Sequence, residues 1–449
     1  MKEYAAIIVG GGASGMFCAL RLAESGVKDV LLLERNDRLG RKLSATGNGQ
    51  GNVTNTAMSA EHYFSGDAGR VASVLARFGA ADLIGALSAL GGIFLPDAVG
   101  RVYPASRQAA SVTDLLRFAL EGRVEVRTGV RVLSARRDGA LFSVRTDGGK
   151  EFRGRALVLA CGGKAAPHFG TDGSGYGLAR AFGHTVTPLR PSLVQLKTEQ
   201  TYIRGLKGVR ADCAVRLLPG AAAAKGAISL KGVLASAEGP VSNGASASNA
   251  ASAPQDGSAA KGMPASKGDI CLRGDLLFTD YGVSGDVIFR LSAFCREGDV
   301  LSVDFLPDCA PSAVAAAIRG KAERYPQMRG EDLLRGIVNS AVGKCLAKYS
   351  ANAPFSQDRG LADRLAACVK DFRLPVVGSL GFDYAQVTKG GVPLGEVDDD
   401  LMSRRAEGLY LLGELLDVDG ECGGYNLQWA FSCGAVAASA VAGRAHAHR

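Results

Sequence analysis

The ten cysteines, scattered from Cys18 to Cys433, contain no Cys-x-x-Cys or Cys-x4-Cys pair. That pattern excludes a zinc ribbon and the redox disulfide of disulfide reductases. It reads as reduced, buried thiols in a cytoplasmic protein without a metal site. No run of 18 apolar residues occurs, so no membrane span is expected. The apolar run at 5–9 is too short for a signal-peptide core. Of the histidines, His62, His184, His446 and His448 point to no particular chemistry.

The chain has 449 residues, enough for about three domains. Apolar residues make up 47%, so a large core can form and wholesale disorder is excluded. Glycine is abundant, at 60 residues without a three-residue repeat, which points to tight turns and close backbone approaches. The net charge of +8 suits anionic partners such as phosphates or RNA without selecting among them.

Residues 5–9 read as a buried parallel strand, 14–25 as a helix and 29–34 as a second strand, a β-α-β opening. Helices are expected over 70–90 and 108–121, and a β-meander over 123–159. Residues 219–268 are mostly Ala, Ser, Gly and Lys with no aromatic, and read as a solvated, disordered insertion. Strand character returns over 269–306. Residues 311–350 look helical, with Leu334, Val338, Val342, Cys345 and Tyr349 forming one apolar stripe. Strands are expected at 384–388 and 409–413, and a closing helix at 426–442.

The first strand runs into Gly10-Gly11-Gly12-Ala13-Ser14-Gly15, which fits G-x-G-x-x-G. In so glycine-rich a chain the motif alone says little; its place between a strand and a helix is what counts. Gly10 permits the turn, Gly12 lets a pyrophosphate approach, and Gly15 lets the helix pack closely. The helix N-terminus, through Ala13 and Ser14, offers N–H groups to phosphate. Glu34 ends the second strand, where it can accept from ribose hydroxyls, which argues against a 2′-phosphate. The glycine-rich basic loop 40–52 follows, with Arg41, Lys42, Thr46, Asn48 and Asn52, and suits a long extended cofactor. Arg35 and Val132 join the cofactor-binding set. Two more glycine clusters close buried strands, one with Ala160, Gly162 and Gly163, the other with Gly413 and Glu414. The latter leads to Gly423-Gly424-Tyr425-Asn426-Leu427, whose helix N-terminus can face a flavin.

These segments together resemble the BaiN-like, or YhiN-like, FAD-dependent oxidoreductases. The resemblance rests on GGGASGMFCA, GRKLSATGNGQGNVTN and GLYLLGELLDVDGECGGYNLQWAFSCG, and covers nearly everything outside 219–268. It implies an α/β fold: a Rossmann-like, glutathione-reductase-type FAD domain with an inserted β-barrel-like domain and a small helical domain. The expected boundaries are 1–190 and 365–449 for the FAD domain, 191–306 for the barrel and 307–364 for the helices. The family includes proteins labelled aminoacetone-oxidase-like, bile-acid enone reductases, and enzymes that make dihydrouridine in large-subunit ribosomal RNA. One departure is Gln50-Gly51, where the family usually carries Arg-Cys.

The expected reaction is hydride transfer from the flavin to a polarised C=C, either an enone or the uracil 5,6 bond. No second G-x-G-x-x-G occurs, so NAD(P)H would dock transiently as electron donor. Such chemistry needs a donor to the carbonyl oxygen and a proton source. Lys389, Asp417, Asp419, Tyr425 and His168 are the catalytic candidates. The substrate would be a small molecule or a nucleobase. Ribosomal RNA is the partner suggested by the basic cluster Arg319, Lys321, Arg324, Arg329 and Arg335. Oxidation of a small amine or alcohol, and a non-enzymatic FAD-bound scaffold, are the alternatives.

Overall fold

The computed structural model describes residues 2–220, 270–350 and 354–447, so the 219–268 insertion falls almost wholly outside the described residues. The chain divides into two compact units, Met1–Ser192 with Gly381–Arg449, and Leu193–Leu380.

The first unit is built on a seven-stranded sheet. Its centre is the strand Glu3–Val9, flanked in parallel by Val30–Leu33 and by Glu151–Leu159. The strand Leu409–Leu411 joins the far side of Glu151–Leu159, also in parallel. Glu151–Leu159 shows in one segment why sequence pattern follows environment. Its first half pairs antiparallel in a meander, and there Phe152, Gly154 and Ala156 are buried in alternation with partly exposed neighbours. Its second half is covered on both faces, and Leu157, Val158 and Leu159 are buried without a break. The meander expected over 123–159 begins only at Val132, since Glu125–Arg127 pairs in parallel with Val30–Leu33. That short strand follows the helix Ala109–Leu120, as a crossover requires.

The first helix, Ala13–Glu24, packs under the closing helix, Tyr425–Ala447. At Gly434 an added Cβ would lie 2.7 Å from the Ser14 carbonyl, so the two backbones meet directly. Phe17 stacks edge-on against Phe431, with ring centres 5.3 Å apart. The helix expected over 70–90 is two ten-residue helices, Ala68–Arg77 and Ala80–Ala89. They break at Phe78, whose carbonyl accepts from Gln428 Nε2 and Ser432 Oγ of the closing helix. An 18-residue window within Ala68–Ala89 has a mean hydropathy of 1.4. Each half is only about 15 Å long, half of a bilayer core.

The second unit is a closed six-stranded barrel. Its cyclic order is Leu196–Thr198, Gly282–Ser284, Cys271–Phe278, Arg210–Leu218, Val300–Asp304 and Phe372–Ser379. The helices Pro311–Arg324, Ser340–Tyr349 and Leu361–Lys370 share one apolar core with it. Barrel and helices therefore form a single unit where two domains were expected. The chain re-enters the first unit at Gly381 rather than 365, because Leu361–Lys370 and the closing barrel strand belong to the second core. The expected stripe is also interrupted. Leu334 and Val338 lie before the helix Ser340–Tyr349, yet Leu334 is fully buried.

Substituting Gly434→Val is expected to destabilise the first unit by on the order of 2 kcal/mol, because backbone atoms cannot yield to the new side chain. Urea unfolding followed by tryptophan fluorescence checks this, since the single Trp429 lies on the same helix.

Candidate active site

The three motif glycines differ in what surrounds them. Gly10 has φ +109°, and a Cβ there would sit 2.4 Å from the Ala160 carbonyl oxygen. A Cβ at Gly15 would sit 1.9 Å from the Gly10 carbonyl oxygen. Both are required by the fold itself. Around Gly12 no protein atom comes within 4 Å of that position. Gly12 caps the helix without a side-chain bond, and no acid stands in its first turn. A positive helix end thus opens onto space that a phosphate can fill.

Glu34 is buried, and its carboxylate accepts from Gly11 N at 2.7 Å and from Asn36 N and Nδ2 at 2.8 and 2.7 Å. A carboxylate carries about four acceptor positions, so one remains for a hydroxyl. Val130 N donates to the Glu34 carbonyl, and Gly129 N to that of Asn36. Val132, expected in the cofactor set, instead faces the meander opposite Thr146. Arg35 pairs with Asp172 at 2.6 Å. Burial would raise the Asp172 carboxyl, but bonds from Arg35 and Ser174 outweigh it and hold it at about 2.

The loop after the second strand folds back on this frame. Arg41 donates to Asn36 Oδ1 and to the His168 carbonyl. Lys42 pairs with Glu414 at 2.8 Å, and Glu414 also accepts from Thr388 N. Gly163 is tightly enclosed, since a Cβ would meet Thr388 Oγ1 at 2.4 Å and Glu414 at 2.6 Å. Gly162 stands over Thr171 with φ +70°. Gly413 packs on Ser14. Thr46 bonds within its own turn, and Asn48 is exposed. Gly51 has φ +77° with Ala109 Cα 2.8 Å from a would-be Cβ. The Cys of the resembled family would be strained at this position.

Asn52 marks the other end of the site. It is 9% exposed, and its Oδ1 has no hydrogen-bond partner among the described residues. It lies 2.8 Å from where a Cβ of Gly424 would stand, and Gly424 has φ +100°. A buried acceptor without a donor, an open glycine cradle and a carboxylate at the strand end fit an extended dinucleotide with two phosphates and a polar ring. Asn426 does not extend this set, because its amide is tied to Gly420 N and to the carbonyls of Gly420 and Glu421. Leu427 packs partly on the apolar core.

The titratable groups gather on a two-stranded ladder. Val418–Gly420 pairs antiparallel with Tyr63–Ser65, opposing Asp419 to Phe64. Lys389 reaches both Asp419 oxygens at 3.2 and 3.4 Å and lies over the Phe64 ring at 4.5 Å. Ser192 Oγ donates to Asp419, and Thr187 Oγ1 to the neighbouring Asp417. Burial dominates the Asp419 carboxyl and raises it to about 6 against the pull of Lys389 and Ser192, with Asp417 adding to the rise. The next residues along the same ladder face are Glu421 and His62, joined at 3.1 Å through Nδ1. The His62 ring stacks on Tyr425, with centroids 4.4 Å apart. Lys389, Asp419 and Tyr425 therefore share one ladder-and-helix region, with Asp417 beside it. His168 stands elsewhere, with Asn36 and Arg41, near the Glu34 end. Sequence reading passed over His62, Glu421, Phe64 and Ser192. Glu421 adjoins a run already singled out, whereas His62 carries no local signal.

Ser403, His184 and Glu396 also show triad distances, 2.8 Å at each ring nitrogen. Ser403 is 3% exposed and accepts from the N–H groups of Arg405 and Ala406, so its hydroxyl is a turn cap rather than a nucleophile. Among the described residues no cluster suits a metal.

A family model described as the HI0933-like protein Rossmann domain matches residues 4–440. The chain is 37% identical to the 3-dehydro-bile acid delta(4,6)-reductase of Clostridium scindens, over 97% of this chain and 98% of that one. It is 27% identical to the ribosomal RNA dihydrouridine synthase of Escherichia coli, over 96% of each. Among solved structures, the 3-ketosteroid delta1-dehydrogenase of Sterolibacterium denitrificans aligns over 99% of this chain and all of its own, at 15% identity and a TM-score of 0.48.

Two tests follow from this geometry. Gly12→Ala is expected to leave unfolding within about 0.5 kcal/mol of wild type while weakening FAD binding at least about tenfold. Gly15→Ala should lose stability and cofactor together; isothermal titration with FAD and urea melts separate the two cases. Burial lowers the His184 pKa below its ordinary 6.5, against the pull of Glu396. A lowered folded-state pKa contributes stability that is complete above about pH 6.5 and is lost as the pH falls. His184→Gln should flatten the dependence of stability on pH between 7 and 5.

Proposed function

The chain belongs to the HI0933-like family and is an FAD-dependent oxidoreductase, and from that premise we propose that it reduces a C=C bond conjugated to a carbonyl in a small enone. Bound FAD supplies the hydride. Glu34 would hold its ribose, the Gly12 turn its phosphates, and Asn52 with the Gly423-Gly424 turn its ring end. We take NAD(P)H as the electron source, docking without a Rossmann fold of its own.

The observation that carries this reading is the Lys389–Asp419 pair. Adding hydride to a conjugated double bond puts negative charge on the carbonyl oxygen and requires a proton at the neighbouring carbon. Asp419, at about 6, holds or releases a proton near neutrality. Lys389, one-third exposed beside it, supplies positive charge where the enolate develops. The enone is favoured over RNA for two reasons. The bile-acid reductase is the more similar of the two relatives compared above. The basic cluster is also largely committed within the protein. Arg319 pairs with Asp363 and Arg335 with Asp332, while Lys321 donates to the carbonyls of Asp332 and Arg335.

The test is anaerobic. Yellow holoenzyme bleached by NADH or NADPH, then reoxidised by a steroid enone, supports the proposal; holoenzyme reoxidised by uracil-containing ribosomal RNA and not by enones overturns it. Asp419→Asn is expected to keep FAD and its reduction by nucleotide while slowing enone reduction by about 100-fold or more. Because the protonated carboxyl is the acid, the wild-type rate should fall as the pH rises through about 6, and the variant should lack that limb.

A further inference from the structure

Two hydrogen-bonding groups beside the Lys389–Asp419 pair have no use within the protein. His62 bonds Glu421 through Nδ1, which leaves Nε2. Tyr425 is held on all sides except its hydroxyl. Its ring lies between His62, stacked at 4.4 Å, and Tyr63, edge-on at 6.0 Å. The Tyr63 hydroxyl donates to the Tyr425 backbone carbonyl at 2.8 Å. Among the described residues neither His62 Nε2 nor Tyr425 Oη has a hydrogen-bond partner, and neither is a sealed-off atom. Two immobilised rings thus present their polar ends unpaired at the start of the closing helix.

We propose that His62 and Tyr425 together receive the carbonyl oxygen of the enone, with Glu421 as the positioning residue for His62. This rests on the enone reading above and adds the residues that recognise the carbonyl. Hydride then enters at the β-carbon, the electron pair of the C=C bond moves onto the carbonyl oxygen as enolate, and the proton from Asp419 returns to the α-carbon. The oxygen is stabilised throughout by Tyr425 O–H and by the His62 ring through Nε2, with Glu421 holding that ring at Nδ1. Burial raises the Tyr425 phenol to about 12, so it remains a donor across the working range. Donors fixed before the reaction pay no reorganisation when charge develops, and losing one costs about 100-fold or more.

The experiment is isotope-edited infrared difference spectroscopy of carbonyl-labelled 2-cyclohexenone on the oxidised, FAD-loaded protein, with turnover measured separately. Expected is a C=O stretch below its value in water. Tyr425→Phe, which keeps the stacked ring, and His62→Asn should each return part of that shift, keep FAD, and lower kcat/KM by about 100-fold. Glu421→Gln should return the His62 share alone, which covers the case of a His62 variant that does not fold. A wild-type enzyme that reduces the enone while the bound carbonyl stretch is the same in wild type, Tyr425→Phe and Glu421→Gln would overturn the carbonyl pair and leave the enone reading standing. A reducible flavin that never turns over an enone overturns both.

Discussion

The contact between Gly434 and the first turns of the opening helix is what makes one site out of two chain ends. The nucleotide turn lies at residues 10–15 and the titratable ladder near 417–425, with the whole second unit between them in sequence. Backbone-to-backbone packing of the closing helix on Ser14 and Cys18 sets the distance between phosphate turn and reacting groups. A glycine is needed there because any side chain would push the helices apart. The neighbouring Phe78 carbonyl, taken up by Gln428 and Ser432, fixes the same helix against rotation.

Much of the first unit was legible because its requirements are local. Gly10 and Gly15 answer to atoms a few residues or one strand away, and Glu34 follows at the distance a β-α-β unit imposes. The meander and the buried runs announced themselves by period. The His62–Glu421 pair could not be seen this way, since its partners are 359 residues apart and neither belongs to a repeating pattern. Val132 pairs with Thr146 in the meander, whereas backbone groups two and three residues earlier tie that turn to Glu34 and Asn36. Backbone contacts of that kind leave no trace in residue type. The late return to the first unit has a similar cause. The helix Leu361–Lys370 packs in the second core, and the strand Phe372–Ser379 that follows it closes the barrel.

The ladder also shows how neighbouring groups of opposite tendency are kept apart. Strand alternation puts Asp419 and Glu421 on one face, two residues apart, where two carboxylates would repel. Each is given its own cation-capable partner from another element, Lys389 for one and His62 for the other. Burial then separates them further, since Asp419 is nearly inaccessible while Glu421 is partly exposed. Two acids of similar intrinsic strength thereby acquire different roles.

The division of the chain also orders its birth on the ribosome. The second unit is continuous from Leu193 to Leu380, so its barrel can close as soon as Phe372–Ser379 has emerged. The first unit has no such freedom. Its central sheet awaits Leu409–Leu411, and its opening helix lacks its main cover until the helix Tyr425–Ala447 arrives. The N-terminal third must therefore wait, with Phe17 covered by Phe78 but not yet by Phe431, while a complete barrel folds downstream of it. Synthesis of the helix Tyr425–Ala447 is the event that completes the first unit.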